Sequence, residues 1–372
     1  MISLRMLTVV ALPLLAAPRA VGQYSFTDLS IYDDALGYID PVGLSPDGNT
    51  ILGSYVYRSF DFATPIFIQN GVRTELDAGG YSVGSARAMA SNGTIVGGLG
   101  NSLEGSTISA PMWQNGQLSL LELVPGGAAA SANAISSDGR VAVGSASLPT
   151  FKTQPARWVD GKVEPLGDIP GSNSNGTALA VSADGSVIVG RAAANTRAFR
   201  WMNGVMEPLP LIDEEDIEYS SAYDISGDGR RIVGEQRHMN FLSDALLWED
   251  GVPRSLPKLP GANKSFAEAI SDDGTLVFGE SGVGFTTGIH IFMWDESNGT
   301  RNLMEVLTDA GVDLQGWRQL YFVEDISADG RTILGYGFNA EGEYTPFLAT
   351  IPEPGTLALT GVGLALLARR RR

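Results

Sequence analysis

Short apolar runs alternate with glycine-containing turns along most of the chain, and this pattern repeats at a nearly constant interval. An Asp-Gly or Asn-Gly pair returns every 44–46 residues, with one longer interval of 56 residues. A glycine follows each pair, and an aromatic residue stands about 20 residues after the start of the pair. Self-similarity at such a period indicates a repeat architecture. The pairs begin at Asp47, Asn92, Asp138, Asp184, Asp228, Asp273 and Asp329.

Each copy is predicted to contain four short strands, as the third copy illustrates. Ala132–Ser136 leads into the turn, Val141–Gly144 is an apolar run of strand length, Ala156–Trp158 carries the aromatic residue, and a fourth strand ends on Leu166. Four strands in about 45 residues are typical of a β-propeller blade. The sequence therefore predicts an all-β, seven-bladed β-propeller, with a β-solenoid as the alternative.

Small and aromatic residues at fixed places in the copies support the propeller. Alanine recurs in the first strand, at Ala178, Ala222 and Ala267, where blade strands crowd around the central axis. The recurring aromatic residues are expected to fill the gap between neighbouring twisted sheets rather than to bind a ligand. These residues are Phe67, Trp113, Trp158, Trp201, Trp248, Trp294 and Phe347.

The last copy indicates how the ring would close. It has three strands, expected at Phe322–Ser327, Thr332–Tyr336 and Thr345–Ile351, and then runs into Pro352. An orphan segment before the first copy, Tyr24–Ile31, resembles a fourth strand. We expect it to complete the last blade, because closure removes both exposed sheet edges. The only helix expected in the repeats lies within Asn302–Val312, a segment of the one long interval.

The N-terminus has the pattern of a secretory signal peptide. Arg5 supplies the positive region, Met6–Ala17 forms the apolar region, and Ala20–Gly22 provides small residues for cleavage. The chain is thus divided into a signal segment at 1–22, the repeats at 23–351 and a C-terminal segment at 352–372.

The C-terminal segment combines three features in a fixed order. Pro352, Glu353 and Pro354 precede the apolar run Gly355–Ala368, which is shorter than a bilayer span. An arginine cluster follows, and the positive-inside rule predicts that it stays cytoplasmic during export. Its members are Arg369, Arg370, Arg371 and Arg372.

This segment resembles the PEP-CTERM sorting signal of Gram-negative bacteria that produce exopolysaccharide. The resemblance implies transient insertion of an apolar transmembrane helix in the inner membrane. It also implies cleavage near Pro-Glu-Pro by an exosortase, a membrane transpeptidase, and delivery to the cell surface or the medium. An uncleaved tail anchor is the alternative.

The repeats themselves resemble a family of bacterial extracellular proteins named for a His-Ala-Phe (HAF) motif. The best match is Arg197–Gly204, in which Arg197 replaces the naming histidine, followed by Glu207–Leu209. The resemblance implies export and a propeller-like fold, and it assigns no activity.

Charge and composition exclude several classes of function. The formal net charge is −17, and removing both terminal segments leaves 19 basic and 41 acidic residues, a net charge of −22. Such a surface repels phosphate backbones, so no nucleic-acid partner is expected. The absence of cysteine excludes disulfides, zinc–thiolate sites and thiol catalysis.

Candidate catalytic, cofactor and metal residues are few, and none is assigned. Asp-Gly pairs are what tight turns require, so the repeated aspartates are interpreted as structural rather than as calcium ligands. The acidic run Asp213–Asp216 with Glu218 is interpreted as a solvated loop, with a weak divalent-cation site as the alternative. His238 and His290 are expected at the surface, because no cysteine or carboxylate cluster accompanies them.

Two functions remain open from the sequence. The first is a non-catalytic, exported propeller that binds extracellular matrix or biofilm polysaccharide, or a surface protein. Its expected aromatic platforms are Tyr55, Tyr57 and Phe285, which lie outside the repeated aromatic position. The second is a polysaccharide-degrading or polysaccharide-modifying enzyme with its site on the axial face of the propeller. Three or more ionisable groups within hydrogen-bond reach at the tunnel mouth would favour the enzyme.

Overall fold

The computed structural model describes residues 24–59, 62–100, 108–150, 152–169, 175–192, 197–283 and 287–351. The described residues are almost entirely β-structure with one short α-helix, so the predicted all-β class is confirmed. The signal helix expected at 1–22 and the sorting helix expected at 352–372 lie outside the described residues. Among the described residues, no helix reaches the length and apolarity needed to cross a membrane.

The strands follow one another in consecutive antiparallel sets of four, which we call units and number along the chain. The chain enters through β1 (Ser25–Asp28) and a 3₁₀ turn at Leu29–Tyr32. Unit 1 is β2 (Gly37–Leu44), β3 (Thr50–Tyr57), β4 (Ala63–Gln69) and β5 (Val72–Glu75). Unit 2 is β6 (Val83–Met89), β7 (Ile95–Gly100), β8 (Pro111–Gln114) and β9 (Gln117–Leu120). Unit 3 is β10 (Ala130–Ile135), β11 (Val141–Ser147), β12 (Thr153–Val159) and β13 (Lys162–Pro165).

The second half of the chain continues the series and adds the helix. Unit 4 is β14 (Thr177–Val181), β15 (Val187–Ala192), β16 (Arg197–Met202) and β17 (Val205–Pro208). Unit 5 is β18 (Ile217–Ile225), β19 (Arg231–His238), β20 (Ser243–Glu249) and β21 (Val252–Ser255). Unit 6 is β22 (Lys264–Ile270), β23 (Val277–Val283), β24 (Thr287–Asp295) and β25 (Gly299–Asn302), followed by α1 (Leu303–Asp309). Unit 7 contains β26 (Gln319–Ile326), β27 (Thr332–Phe338) and β28 (Tyr344–Thr350).

The N-terminal strand belongs to the last sheet, whose strand order is β1-β28-β27-β26. β1 pairs antiparallel with β28, with Ser25 opposite Thr350. The strand is shorter than the segment expected from the sequence, because Asp28 accepts a 2.8 Å hydrogen bond from the backbone N–H of Ser30 and starts the 3₁₀ turn. The first and last thirds of the chain are therefore joined by a β-ladder.

The recurring glycine allows the first two strands of a unit to approach closely. Gly234 on β19 stands opposite Ala222 on β18, and the ladder has a bulge immediately after this alanine. A Cβ on Gly234 would lie 2.0 Å from the carbonyl oxygen of Ser221, a distance that real side chains do not reach. The same alanine–glycine pairing recurs in units 2, 3, 4 and 6. The repeated glycine is thus a packing requirement.

The recurring tryptophans are structural, as the sequence predicted. Trp113, Trp158 and Trp248 are each at most 1% exposed. Their indole Nε1–H groups donate to backbone carbonyls just after the fourth strand of the preceding unit, at 2.8 Å to Asp77, 2.8 Å to Glu122 and 2.6 Å to Pro210, respectively. Each of these rings therefore fills the space between two sheets and satisfies its one polar group there.

The serine and aspartate of the repeated turns bond to each other and to the turn backbone. In unit 3, Ser136 Oγ donates to Asp138 Oδ1 at 2.7 Å, and the same aspartate oxygen accepts from the N–H of Arg140 at 3.0 Å. Ser136 Oγ in turn accepts from the N–H of Val141. Because these hydrogen bonds use the side chains locally, the repeated carboxylates serve the turns, as the sequence indicated.

A series of backbone hydrogen bonds connects these turns from unit to unit. In each described link, the residue before the Asp or Asn of the repeated turn donates its N–H to the carbonyl of the equivalent residue in the next unit, at 2.7–3.1 Å. The last link, from Ala328 to Pro46, joins unit 7 to unit 1. Pro46 has no N–H and so cannot continue the series to unit 2. The series runs through Ser91, Ser137, Ala183, Gly227, Asp272, Ala328 and Pro46.

The one helix lies in the long interval, where the sequence placed it. Asn302 caps α1 by accepting a hydrogen bond from the N–H of Met304. Leu303 and Leu307 are fully buried against the core of unit 7, beside Trp317. The extra residues between units 6 and 7 thus extend the core that also receives β1.

Candidate functional site

A β-bulge in the first strand of each unit leaves one residue without a ladder partner. Bulges re-aim side chains and are common beside functional sites. The bulged residue is charged or polar in five units, whereas Val42 and Leu179 occupy the other two. The polar bulged residues are Arg87, Asn133, Tyr223, Glu268 and Glu324.

The bulged residues of units 5–7 lie near two further glutamates of the second strands. Glu235 on β19 is 1% exposed, and one of its carboxylate oxygens accepts hydrogen bonds from the hydroxyls of Tyr219 and Tyr223. Its other oxygen has no hydrogen-bond partner. Glu280 on β23 accepts a 2.8 Å hydrogen bond from the N–H of Val323 in unit 7. We call Glu235, Glu268, Glu280 and Glu324 the carboxylate cluster.

Burial and mutual repulsion act together on the carboxylate cluster. Burial raises the pKa of Glu235 above its usual range, although the hydrogen bonds from the two tyrosines act to lower it. Burial and repulsion from Glu268 raise the pKa of Glu280, whereas burial and repulsion from Glu235 raise the pKa of Glu268 to about 8. The pKa of Glu324 is raised to about 7 by burial and by the charge of Asp40. The cluster therefore holds protons at pH values where exposed carboxylates do not.

These pKa shifts predict that the free energy of unfolding falls as the pH rises. A carboxylate whose pKa is higher in the folded than in the unfolded state stabilises the fold below its unfolded pKa. That contribution is lost as the pH rises through the folded pKa, about 7 for Glu324. One pKa unit corresponds to about 1.4 kcal/mol, so we expect the melting temperature to fall by roughly 5 °C between pH 5.5 and 8.5.

Thermal unfolding followed by circular dichroism from pH 4 to 9 checks this prediction. The turn aspartates act in the opposite sense, since the N–H of Arg140 lowers the pKa of Asp138, and their contribution is lost on acidification. Stability should therefore be greatest in mildly acidic buffer. The matched variant Glu324→Gln should flatten the alkaline side of the profile. A melting temperature that rises between pH 5.5 and 8.5 would contradict the assignment.

A group of four aromatic side chains lies on unit 7, close to these carboxylates, and Tyr344 is exposed while the other three are half-buried. Tyr336 and Tyr344 stack with ring centroids 5.2 Å apart, and Phe338 lies 5.6 Å from Tyr344. Tyr321 meets both Phe338 and Tyr344 edge-on, at 5.7 and 6.1 Å. Tyr344 is 53% exposed, and the hydroxyl of Tyr336 donates to the exposed carboxylate of Asp40 at 2.7 Å. We call these four rings the tyrosine face.

The aromatic residues expected from the sequence to bind ligand do not form this face. Tyr55 is only 1% exposed, so its predicted role as an exposed platform is wrong. Its hydroxyl donates to Asp34, and the guanidinium of Arg73 lies 3.7 Å from its ring centroid, which holds the ring inside unit 1. Tyr57 is half-buried with its ring edge-on to Tyr55 at 5.0 Å. Phe285 lies outside the described residues.

The two histidines were expected at the surface, but both are half-buried. His238 is 22% exposed and its Nε2 lies 2.7 Å from a carboxylate oxygen of Asp244, which also bonds Lys258. It therefore belongs to a partly buried ion-pair group rather than to open surface. The Nδ1 of His290 is buried without a hydrogen-bond partner.

No group of three or more metal-ligating side chains with suitable geometry occurs within the described ranges. The acidic run forms an exposed 3₁₀ turn at Glu214–Asp216. It lies at the surface, as expected of a solvated loop.

A match to a known motif accounts for the C-terminal segment. Residues 350–372 match the model of the PEP-CTERM protein-sorting motif. The C-terminus is a PEP-CTERM sorting motif. The motif marks the protein for export, for processing by an exosortase and for sorting to the cell envelope or surface. The sorting residues assigned from the sequence, from Pro352 to Arg372, lie in the matched range and outside the described structure.

Comparison with solved structures shows a propeller-like fold and leaves the activity open. An oligogalacturonate lyase in complex with manganese is 13% identical, with a TM-score of 0.55, over 90% of this chain and 99% of the lyase. The β-propeller domain of the trilobed protease from Pyrococcus furiosus is 11% identical, with a TM-score of 0.54, over 85% of this chain and 94% of that domain.

A prolyl endopeptidase is 12% identical, with a TM-score of 0.53 over 85% of this chain, and the chain spans only 47% of the length of the endopeptidase. No curated protein matches the chain in sequence. Identities this low show the fold alone.

Proposed function

We propose that the protein is an exported, non-catalytic binding module that attaches to neutral polysaccharide of the extracellular matrix or biofilm of a Gram-negative bacterium. It is built as a seven-bladed propeller of HAF-type repeats, closed by its N-terminal strand. The observation that carries the binding role is the tyrosine face, in which the exposed ring of Tyr344 stacks on half-buried Tyr336 beside the carboxylate of Asp40. The sorting motif supports the location, because it directs the protein to the envelope where such polysaccharides lie.

Contacts between units 1 and 7 support the closed ring. The N–H of Leu44 donates to Asp325 Oδ2 at 2.6 Å, and the N–H of Ala328 donates to the carbonyl of Pro46 at 2.9 Å. The buried side chains Leu29 and Tyr32, which follow β1, share a core with residues of both units, including Leu348. These contacts between the first and last units support the proposed closure.

The chemistry of the tyrosine face suits a neutral sugar. Aromatic rings present flat apolar surfaces to the C–H faces of a sugar while their hydroxyls remain in water. Asp40 is exposed and offers a carboxylate oxygen as an acceptor for a sugar hydroxyl. The net charge of −22 outside the terminal segments repels polyanions in bulk, so a neutral chain is the better partner for this surface.

A binding assay with the protein exported by its host tests the proposal. Retention on neutral matrix polysaccharide should weaken roughly five-fold for Tyr344→Ala, since one stacked aromatic contact contributes about 1 kcal/mol. Tyr38→Ala is the matched control, because Tyr38 is also an exposed tyrosine, 39% accessible, on another unit. A chelator should leave the binding unchanged. Equal retention of Tyr344→Ala and the unmodified protein would exclude the tyrosine face.

The second candidate is a polysaccharide-degrading enzyme, and one observation favours it. Glu235 with Tyr219 and Tyr223 brings three ionisable groups within hydrogen-bond reach. A buried carboxylate with a raised pKa is a common general acid. The same incubation distinguishes the two functions, since an enzyme would release new reducing ends or unsaturated sugars. That release would have to disappear in Glu235→Gln.

A further inference from the structure

A pocket of about 200 Å³ lies where unit 2 meets units 1 and 3, away from the tyrosine face. This volume is below the roughly 300–1,000 Å³ of drug-sized sites, so it suits one small group. Its polar walls come from three neighbouring units, and exposed apolar side chains of Val83 and Ile108 form part of its lining. The polar and small lining residues are Ser54, Gly84, Ser85, Arg87, Gly98 and Ser131.

Arg87 is the charged group of this pocket and has no counter-ion. Its Nη1 donates to Ser131 Oγ at 2.7 Å and to Asn133 Oδ1 at 2.9 Å, both in unit 3. The described structure contains no ion pair for Arg87, and its Nε–H and Nη2–H groups make no hydrogen bond there. Arginines elsewhere do find carboxylates, as Arg140 does with Asp160 and Arg230 with Asp250. The guanidinium therefore has N–H donors and an unbalanced positive charge with which to bind another group.

The space beside the guanidinium exists because Gly98 has no side chain. A Cβ at this position would stand 3.5 Å from Arg87 Nη2. The residue in the same place, directly after the repeated glycine, is Ser145 in unit 3, Glu235 in unit 5 and Tyr336 in unit 7. Unit 2 thus differs from the other units at two positions: its bulged residue is positively charged, and its residue after the repeated glycine has no side chain.

The energetics of the site favour an anion. Burial lowers the pKa of Arg87, which reflects the cost of holding a charge away from water. Neutral hydrogen bonds to Ser131 and Asn133 satisfy part of the guanidinium but offset none of its charge. A bound anion would supply both the charge and acceptors for the remaining N–H groups.

We infer that this pocket binds the carboxylate of a single uronic acid residue carried by an otherwise neutral polysaccharide. A singly charged carboxylate balances one guanidinium, whereas a phosphate would bring excess charge into a chain that is already strongly acidic. The serine hydroxyls around Arg87 provide partners for sugar hydroxyls, and Val83 and Ile108 provide apolar surface for a sugar ring. The inference rests on the proposed function only in taking a glycan as the ligand, since the pocket and the tyrosine face are separate sites.

Calorimetric titration of the exported protein with galacturonate and glucuronate tests the inference. Uronate should bind, whereas glucose, which lacks the carboxylate, should bind at least ten-fold more weakly. Arg87→Gln and Gly98→Val should each lower uronate affinity by at least ten-fold, the first by removing the charge and the second by filling the space. A Cβ at Gly98 would lie 3.5 Å from both Arg87 Nη2 and Ser131 Oγ, an ordinary contact distance, so the melting temperature of Gly98→Val should stay close to that of the unmodified protein.

Each alternative result has a definite meaning. Phosphate binding as tightly as uronate would overturn the assignment to a carboxylate, and an acidic peptide binding more tightly would overturn the assignment to a sugar. Uronate binding that survives both variants would overturn the site. Retention of the unmodified protein on neutral polysaccharide is measured in parallel. If uronate does not bind but the protein is retained on neutral polysaccharide, this inference alone is overturned. If uronate binds but the protein is not retained, the proposed function alone is overturned.

Discussion

Deletion of residues 24–32 from the exported protein is expected to remove most of its stability. The deletion takes away β1, whose Phe26 packs against Phe347 and Trp317 at centroid distances of 5.3 and 5.0 Å. It also removes Leu29 and Tyr32, which are 1% and 7% exposed. Burying a large apolar side chain contributes about 1.5–3 kcal/mol, so three of them contribute roughly 5 kcal/mol or more. Whole domains are stable by only about 5–15 kcal/mol.

The expected result is a sharply lower melting temperature or aggregation, because β28 becomes an exposed edge strand. Thermal unfolding and size-exclusion chromatography measure these two effects. The matched control is Ile31→Ser, which changes a residue of the same segment that is 48% exposed and should alter stability by no more than about 0.5 kcal/mol. An unchanged melting temperature for the deletion would mean that the first strand does not hold the last sheet.

The second large effect is expected from Gly234→Ala. The added methyl carbon would lie 2.0 Å from the oxygen of Ser221 and 3.0 Å from the Cα of Ala222. Both contacts are with backbone atoms of β18, so this strand would have to move. Rotation of a side chain would not relieve them. Overpacking of a well-packed interior costs about 1–3 kcal/mol, and loss of the bulged ladder adds to this. We expect a loss of about 3 kcal/mol or more in the free energy of unfolding.

Chemical denaturation of Gly234→Ala and Gly100→Ala gives the comparison that isolates this effect. Gly100 is also a strand glycine, but a Cβ there meets nothing within 4 Å. Its replacement should change stability by less than about 0.5 kcal/mol. Equal losses in the two variants would indicate that the lost flexibility of glycine, and not the close approach of two strands, explains the repeat.

The repeat pattern predicts the strand arrangement well because each copy repeats the same physical solution. Few residue types are tolerated at the recurring positions. They include the turn residues Ser136 and Asp138, the closely approached Gly144 and the buried Trp158. Seven copies of such a constraint stand out in one sequence. The short helix was also predictable, because Asn302 supplies a cap and Leu303 and Leu307 supply the buried positions.

The candidate sites were not predictable in the same way, because they lie where copies differ. Arg87 and Glu268 occupy the same bulged position, yet one carries the pocket charge and the other belongs to the carboxylate cluster. Whether such a residue finds a counter-ion depends on strands about 45 residues away, which a single sequence does not place in space. Tyr55 failed as an exposed platform because Asp34 and Arg73, which lie outside its own strand, hold its hydroxyl and cover its ring. The signal for the tyrosine face was that unit 7 differs from the other copies, since Tyr336 and Phe338 stand at alternate positions of one strand.

The course of β28 separates the tyrosine face from the sorting motif. The strand runs from Tyr344 to Thr350, and residues 350–372 match the motif. At 3.2–3.4 Å per residue, the tyrosine face at the start of β28 stands about 20 Å from the point where the tail departs. The exosortase therefore acts at the end of β28 opposite to Tyr344. Processing of the tail and the proposed ligand binding thus use opposite ends of one strand.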